Sequence, residues 1–166
     1  MALGLLSKDE GVHGTTPGHV NFSSNLQPSV GHGLECDIHD RSLPLPVQGS
    51  SPTCGKILQH ATKQVELFRK TMGSNICVFK VGVTSDPAVR FLDYRAKNFT
   101  SMWIVHTSND LGLIHMLEAS LVLQFHHCVG CRNAPNTGGE GGMSRMAPPY
   151  YVYVTGGRAD QFKRVG

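Results

Sequence analysis

The hydrophobic pattern changes period several times after residue 50, and each change marks a predicted element. Residues 76–84 (ICVFKVGVT) are rich in β-branched and aromatic side chains, which is typical of a strand. Residues 102–106 (MWIVH) and 150–155 (YYVYVT) predict two further strands. Apolar residues recur at helical spacing in three other segments, at residues 56–72, 87–97 and 111–127. We therefore predict an α/β domain with a small mixed or antiparallel three-stranded sheet flanked by helices.

Short polar residues mark where two of these helices begin. Asp86 precedes Pro87, so the Asp86 side chain is expected to cap a helix whose first residue is Pro87. Ser108 or Asn109 is the expected cap of the next helix.

Residues 1–50 show no sustained period and are rich in Gly, Pro, Ser and His. They hold two basic and five acidic residues, whereas residues 51–166 hold 13 basic and seven acidic ones. A segment with so few apolar runs buries too little surface to offset the conformational entropy of folding. We therefore predict a disordered acidic tail over residues 1–50 and one α/β domain over residues 51–166.

The predicted domain is the basic part of the chain, which permits a polyanionic partner such as nucleic acid without requiring one. No stretch approaches the roughly 20 apolar residues of a membrane-spanning helix. The composition therefore argues against a membrane partner.

The five cysteines are scattered and odd in number, which favours reduced thiols and an intracellular protein, cytoplasmic or nuclear. Cys128 and Cys131 form a CxxC pair. A structural zinc site needs about four ligands. We do not expect Zn²⁺ at Cys128 and Cys131 unless Cys36, Cys54 or a remote histidine joins them. No thioredoxin-like βαβ pattern surrounds the pair, which argues against a redox motif of that type.

Glu118 interrupts the apolar stripe of the helix predicted over residues 111–127. Burying an unpaired carboxylate costs on the order of several kcal/mol, so a cation, a metal ion or hydrogen-bond donors must compensate it. Two interpretations follow, a metal ligand or a structural salt bridge to Arg90 or Arg95.

The segment around residues 80–90 carries a resemblance to a known family. KVGVT, followed by a polar turn, Asp86, Pro87 and Arg90, resembles the second half of the GIY-YIG nuclease signature, in the branch where a lysine replaces the tyrosine of YIG. The resemblance covers roughly residues 77–153. It implies these roles in the family's order along the chain: Lys80, Arg90 and Asn133 in catalysis, Glu118 as the metal ligand, and Gly82 and Thr84 in substrate binding.

The loop that starts at Gly130 is rich in Gly and Asn and follows the Glu118 helix directly. Loops on a rigid scaffold often carry function. Arg132 is therefore a candidate for substrate binding through phosphate contact. Glu140 is either a second carboxylate of the site or part of a flexible connector, and we favour the connector.

In the GIY-YIG family a strand with an essential tyrosine precedes the YIG strand, and no such strand precedes residue 76 here. Residues 150–155 resemble that strand. The resemblance then implies a circularly permuted fold in which Tyr153, rather than Tyr151, supplies the catalytic tyrosine.

The resemblance implies a metal-dependent endonuclease that hydrolyses phosphodiester bonds of DNA, with Mg²⁺ or Mn²⁺ bound by Glu118. One alternative is a catalytically degenerate nucleic-acid-binding module on the same fold. The other is a zinc-stabilised interaction domain that uses Cys128 and Cys131.

Overall fold

The computed structural model describes residues 37–44, 51–134 and 147–164. Its elements, in chain order, are β1 Asp37–Asp40, α1 Cys54–Met72, β2 Cys77–Thr84, α2 Pro87–Arg95, β3 Ser101–Ser108, α3 Leu111–Phe125, β4 Tyr150–Arg158 and a C-terminal 3-10 helix Ala159–Arg164. The predicted α/β class is confirmed, and each predicted helix and strand is present with bounds that differ by a few residues. Glu140 and residues 1–36 lie outside the described residues.

The sheet has four strands in the order β1-β3-β4-β2, so the prediction of three strands is wrong. β4 is interior and pairs antiparallel with both neighbours, while β1 pairs parallel with β3. β1 was assigned to the disordered tail because its sequence, DIHD, has no strand-like hydrophobic alternation. It is held instead by backbone pairing with β3 over residues 101–104, continued by the Arg41 amide, which donates to the Ile104 carbonyl at 2.8 Å.

The two faces of the sheet carry separate hydrophobic clusters. The larger cluster lies against α1 and α3, and its fully buried members include Phe68, Phe79, Ile114, Leu121 and Val154. The smaller one involves α2 and consists of Phe91, Tyr94, Phe99, Met102, Ile104 and Tyr153. Successive residues of a strand point to opposite faces, which is why Val154 and Tyr153 belong to different clusters. Each fully buried large apolar side chain contributes about 1.5–3 kcal/mol.

Two capping aspartates fix the starts of α2 and α3. The Asp86 carboxylate accepts from the Val89 amide at 3.0 Å, as the sequence predicted. At α3 the cap is Asp110, which accepts from the Leu113 amide at 3.1 Å, so the prediction of Ser108 or Asn109 is wrong. The Ser108 hydroxyl instead accepts from the Asp110 amide at 3.0 Å.

The turn after α3 covers the outer edge of β2. The Phe79 amide donates to the Gly130 carbonyl at 2.9 Å, and the Arg132 amide donates to the Phe79 carbonyl at 2.8 Å. An uncovered edge strand would present these groups to other chains. Gly130, whose carbonyl accepts from β2, has a φ of 84°, a backbone conformation that favours glycine.

Within residues 37–44, 51–134 and 147–164, no helix has both the length and the apolar character needed to cross a membrane.

The first testable prediction concerns Gly130, where an added Cβ would overlap the Cys77 carbonyl oxygen. We expect Gly130→Ala to lower the free energy of unfolding by at least about 2 kcal/mol, because strain at positive φ adds to displacement of β2. Gly55→Ala is the matched control, since a Cβ there meets nothing within 4 Å. In a helix this control should be neutral or stabilising by about 0.5–1 kcal/mol. Denaturant titration measures both, and equal stabilities would contradict the prediction.

Candidate active site

The ring of Tyr153 crosses β2 at Gly82. The two residues are partners in the antiparallel register, and the Tyr153 side chain is only 2% exposed. A Cβ on Gly82 would lie 2.5 Å from the Tyr153 hydroxyl oxygen and 2.7 Å from its ring carbon Cζ. Gly82 is therefore required for the ring to lie where it does, whereas its predicted role in substrate binding stays a prediction.

The Tyr153 hydroxyl meets a second tyrosine that the sequence analysis missed. The hydroxyl oxygens of Tyr94 and Tyr153 are 3.1 Å apart, a buried hydrogen bond in which either can donate. Tyr94 belongs to α2 and follows Arg90 by one helical turn. The four-residue spacing places Tyr94 on the same helix face as Arg90, and this could have marked Tyr94 as a candidate. Its contact with Tyr153 of β4 could not be predicted, because it depends on the tertiary structure.

Two further candidate residues, Glu118 and Arg90, influence the pKa of the Tyr153 phenol. Burial and the Tyr94 hydroxyl raise the pKa of the Tyr153 phenol above its usual value. The Glu118 carboxylate adds to this rise in pKa, whereas the Arg90 guanidinium opposes it. Tyr94 thus contacts this hydroxyl directly, whereas Arg90 and Glu118 act on it through their charges.

Tyr151, the alternative to Tyr153, packs against the same smaller cluster but is less buried and is influenced by different charges. Burial raises the pKa of Tyr151, and the carboxylates of Asp40 and Asp86 raise it further. These are not the groups that influence Tyr153. Tyr153 is the tyrosine whose hydroxyl is hydrogen-bonded to Tyr94 of α2, the helix that carries Arg90.

Arg90 remains accessible to a ligand. Its side chain is 45% exposed and forms an ion pair with Asp93 at 3.7 Å, one turn along α2. Exposed pairs of this kind contribute at most about 1 kcal/mol. A bound anion can therefore replace Asp93 as the partner of the guanidinium with a loss of at most about 1 kcal/mol.

Glu118 is 9% exposed and lies among the buried apolar residues of α3, as its place in the stripe indicated. Across the described part of the chain, no group of three or more His, Cys, Asp or Glu side chains is arranged to hold a metal ion. One carboxylate still suits Mg²⁺, which keeps several waters and is often held by one or two carboxylates together with substrate phosphates. The described residues do not fit a cage built wholly by the protein. The predicted metal-binding role of Glu118 stays a prediction.

Lys80 precedes Gly82 by two residues on β2 and is half-buried. Alternation along the strand puts both on the face that carries Tyr153. Arg132 lies beyond the edge of β2 and is exposed. Both cations are predicted site residues, and their roles stay predictions.

Thr84 and Asn133 have hydrogen bonds that position other parts of the site. The Thr84 hydroxyl donates to the Asp86 carbonyl at 3.0 Å and accepts from the Asp86 amide at 3.1 Å, which fixes the start of α2. The Asn133 side chain accepts from the Val81 amide and donates to the Val81 carbonyl, both at 2.8 Å. Asn133 therefore extends the edge pairing of β2. Its predicted catalytic role and the predicted contact of Thr84 with substrate remain untested.

A second testable prediction concerns Gly82→Ala. The added methyl group displaces the Tyr153 hydroxyl, so we expect the bond to Tyr94 to break and stability to fall by about 1–3 kcal/mol. Near-ultraviolet circular dichroism should report the changed tyrosine surroundings, while the far-ultraviolet spectrum keeps its helical signal. Gly55→Ala again serves as the control. A Gly82→Ala spectrum identical to that of the wild type in both ranges would contradict the described ring position.

No protein family, curated protein or solved structure matches this chain. A functional assignment therefore depends on the chemistry of the residues around Tyr153. These are a buried hydroxyl pair, an accessible guanidinium and a carboxylate on a buried helix face.

Proposed function

We propose that this protein is a metal-dependent endonuclease of the GIY-YIG type that hydrolyses phosphodiester bonds of DNA. One observation carries the proposal: the buried Tyr153 hydroxyl lies 3.1 Å from that of Tyr94, which follows the accessible Arg90 by one helical turn on α2. A guanidinium, a carboxylate and a hydroxyl together supply what phosphodiester hydrolysis requires, namely charge neutralisation, metal binding and orientation of water.

The position of β4 supports the permuted arrangement. In the family the tyrosine strand directly precedes the YIG strand, and strands that follow one another usually pair as neighbours. Here β4 pairs antiparallel with β2 over eight positions, from Cys77 with Arg158 to Thr84 with Tyr151. This pairing is what the proposal requires of β4 if it is the counterpart of the missing strand.

Arg90 is the residue proposed to bind the scissile phosphate. Its planar guanidinium can donate two parallel hydrogen bonds to phosphoryl oxygens, which is stronger and more directional than its exposed pair with Asp93. In hydrolysis, negative charge builds on these oxygens, and a cation held there in advance lowers the barrier.

The two tyrosines are proposed to orient the attacking water. Because its pKa is raised, the Tyr153 phenol stays protonated at neutral pH. One hydroxyl donates to the other, which leaves the second hydroxyl proton and the remaining lone pairs for a water molecule or a phosphate oxygen. A neutral pair of this kind favours orientation of the nucleophile over its full deprotonation.

Glu118 is proposed to hold the divalent cation together with the substrate. A Mg²⁺ or Mn²⁺ ion bound there would neutralise phosphoryl charge and acidify its water. Lys80 is proposed to add positive charge on the same face of β2, and Arg132 to contact the nucleic-acid backbone beside its edge.

A catalytically degenerate nucleic-acid-binding module is the second candidate. It is favoured by the raised pKa of Tyr153, which disfavours a phenolate base, and by Lys80 in place of the signature tyrosine. Binding by such a module depends on salt, because phosphate contacts release counterions, but it needs no metal.

The third testable prediction separates these candidates. The wild type, Glu118→Gln and the control Glu66→Gln are incubated with labelled duplex, single-stranded and branched DNA in Mg²⁺, Mn²⁺ or EDTA. We expect the wild type to cleave only with metal and Glu118→Gln to be about 100-fold slower or worse. Glu66 lies on the exposed face of α1, so Glu66→Gln should cleave at the wild-type rate.

Metal-dependent cleavage that is unchanged in Glu118→Gln would refute the assigned ligand. If the wild type cleaves nothing but binds DNA in EDTA, with affinity that falls steeply as salt rises, the binding module is correct.

The fourth testable prediction concerns Tyr94→Phe, which removes one hydroxyl and leaves the ring in the core. We expect the cleavage rate of the folded protein to fall on the order of 10-fold to 100-fold and the free energy of unfolding to fall by about 1–3 kcal/mol, because the buried Tyr153 hydroxyl loses its hydrogen-bond partner. Tyr151→Phe is the matched control and should keep the wild-type rate. Equal rates for all three proteins would exclude the hydroxyl pair from catalysis.

A further inference from the structure

Cys128 and Cys131 lie at the two ends of one tight turn after α3. The Cys131 amide donates to the Cys128 carbonyl at 3.0 Å, and the Cys128 amide donates to the Phe125 carbonyl at 2.9 Å. A four-residue turn of this kind brings its end Cα atoms within about 7 Å. That separation falls in the range that a disulfide spans, about 4.4–6.8 Å.

The turn is held in place from outside. Gly130, inside it, accepts from the Phe79 amide, and the next amide, that of Arg132, donates back to Phe79. Both cysteines are half-buried against the larger hydrophobic cluster. The hydrogen bonds of the turn therefore keep the two thiols near each other in the folded protein.

Burial raises the pKa of the Cys131 thiol. Arg69 of α1 and Lys80 of β2 oppose this rise without cancelling it. The Cys131 thiol also donates to the Asn133 side-chain oxygen at 3.7 Å. Cys131 is accordingly a slow first nucleophile at neutral pH but is well placed to attack a sulfur brought beside it.

We propose that Cys128 and Cys131 form a reversible disulfide by exchange with a low-molecular-weight disulfide such as oxidised glutathione. The inference does not depend on the proposed nuclease function. It also needs no thioredoxin-like βαβ unit, because the turn alone supplies the required proximity.

The exchange proceeds in two displacements. The Cys128 thiolate attacks one sulfur of oxidised glutathione, breaks its S–S bond and releases one glutathione thiolate. Cys131 then loses its proton to solvent and attacks the Cys128 sulfur, which releases the second glutathione. Two electrons pass from the cysteine pair to glutathione, and one S–S bond replaces another.

The other described cysteines are poorly suited to this reaction. Cys77 is buried, and burial raises the pKa of its thiol to about 11. Cys54 is exposed at the start of α1. Cys36 lies outside the described residues. A Cys36→Ser/Cys54→Ser background therefore retains the pair and removes thiols that would complicate the measurement.

The test uses the folded 166-residue chain in that background, equilibrated in buffers of reduced and oxidised glutathione, quenched with acid and examined by intact mass. We expect loss of the mass of two hydrogen atoms with no bound glutathione, and a peptide in which Cys128 and Cys131 are cross-linked. Adding Cys131→Ser should instead trap one glutathione on Cys128. Adding Cys77→Ala should leave the loss of two hydrogen atoms unchanged.

Two outcomes would overturn the proposal. Both cysteines could carry glutathione with no cross-link, or the pair could stay reduced at every glutathione ratio while the urea-unfolded chain reacts. Circular dichroism of each variant before oxidation distinguishes a failure to fold from a failure to react.

Discussion

The antiparallel pairing of β4 with β2 is the contact on which the site depends. It sets Tyr153 opposite Gly82, and only the missing side chain of Gly82 lets the phenol ring lie across the strand. Because packed interiors leave little room for adjustment, the position of the hydroxyl is fixed by the register and not by the rotamer alone. A shift of one residue would turn the phenol ring to the opposite face, into the larger cluster.

That register also explains how residues from distant parts of the chain act on one group. α2 begins at the end of β2 through the hydrogen bonds of Thr84 and Asp86, so Arg90 and Tyr94 are carried to a defined place above the sheet. α3 packs against the other face, and the charge of its Glu118 adds to the rise in the pKa of Tyr153. Burial is the largest cause of the raised pKa of Tyr153, because a phenolate at that position would lose its stabilisation by water.

Much of this arrangement could be predicted from local pattern, and the rest could not for identifiable reasons. Helices and longer strands have a hydrophobic period, and Glu118 was recognised because it breaks one. β1 has four residues held by backbone pairing with β3, and backbone pairing does not require an alternation of apolar and polar residues in the sequence. Tyr94 gained importance only through a hydroxyl far away in sequence. The Asn133 amide is engaged by the backbone of β2, a partner that no residue spacing specifies.

The interior position of β4 has a consequence for synthesis on the ribosome. Both neighbours of β4 are made before it, so β2 and β3 emerge with unpaired inner edges. Such edges can pair with other nascent chains, and long-range strand pairing is slow to form. Completion of this four-stranded sheet, as described for residues 37–158, must await translation of β4. Until then the chain is open to misassembly, and early protection by chaperones would benefit this topology.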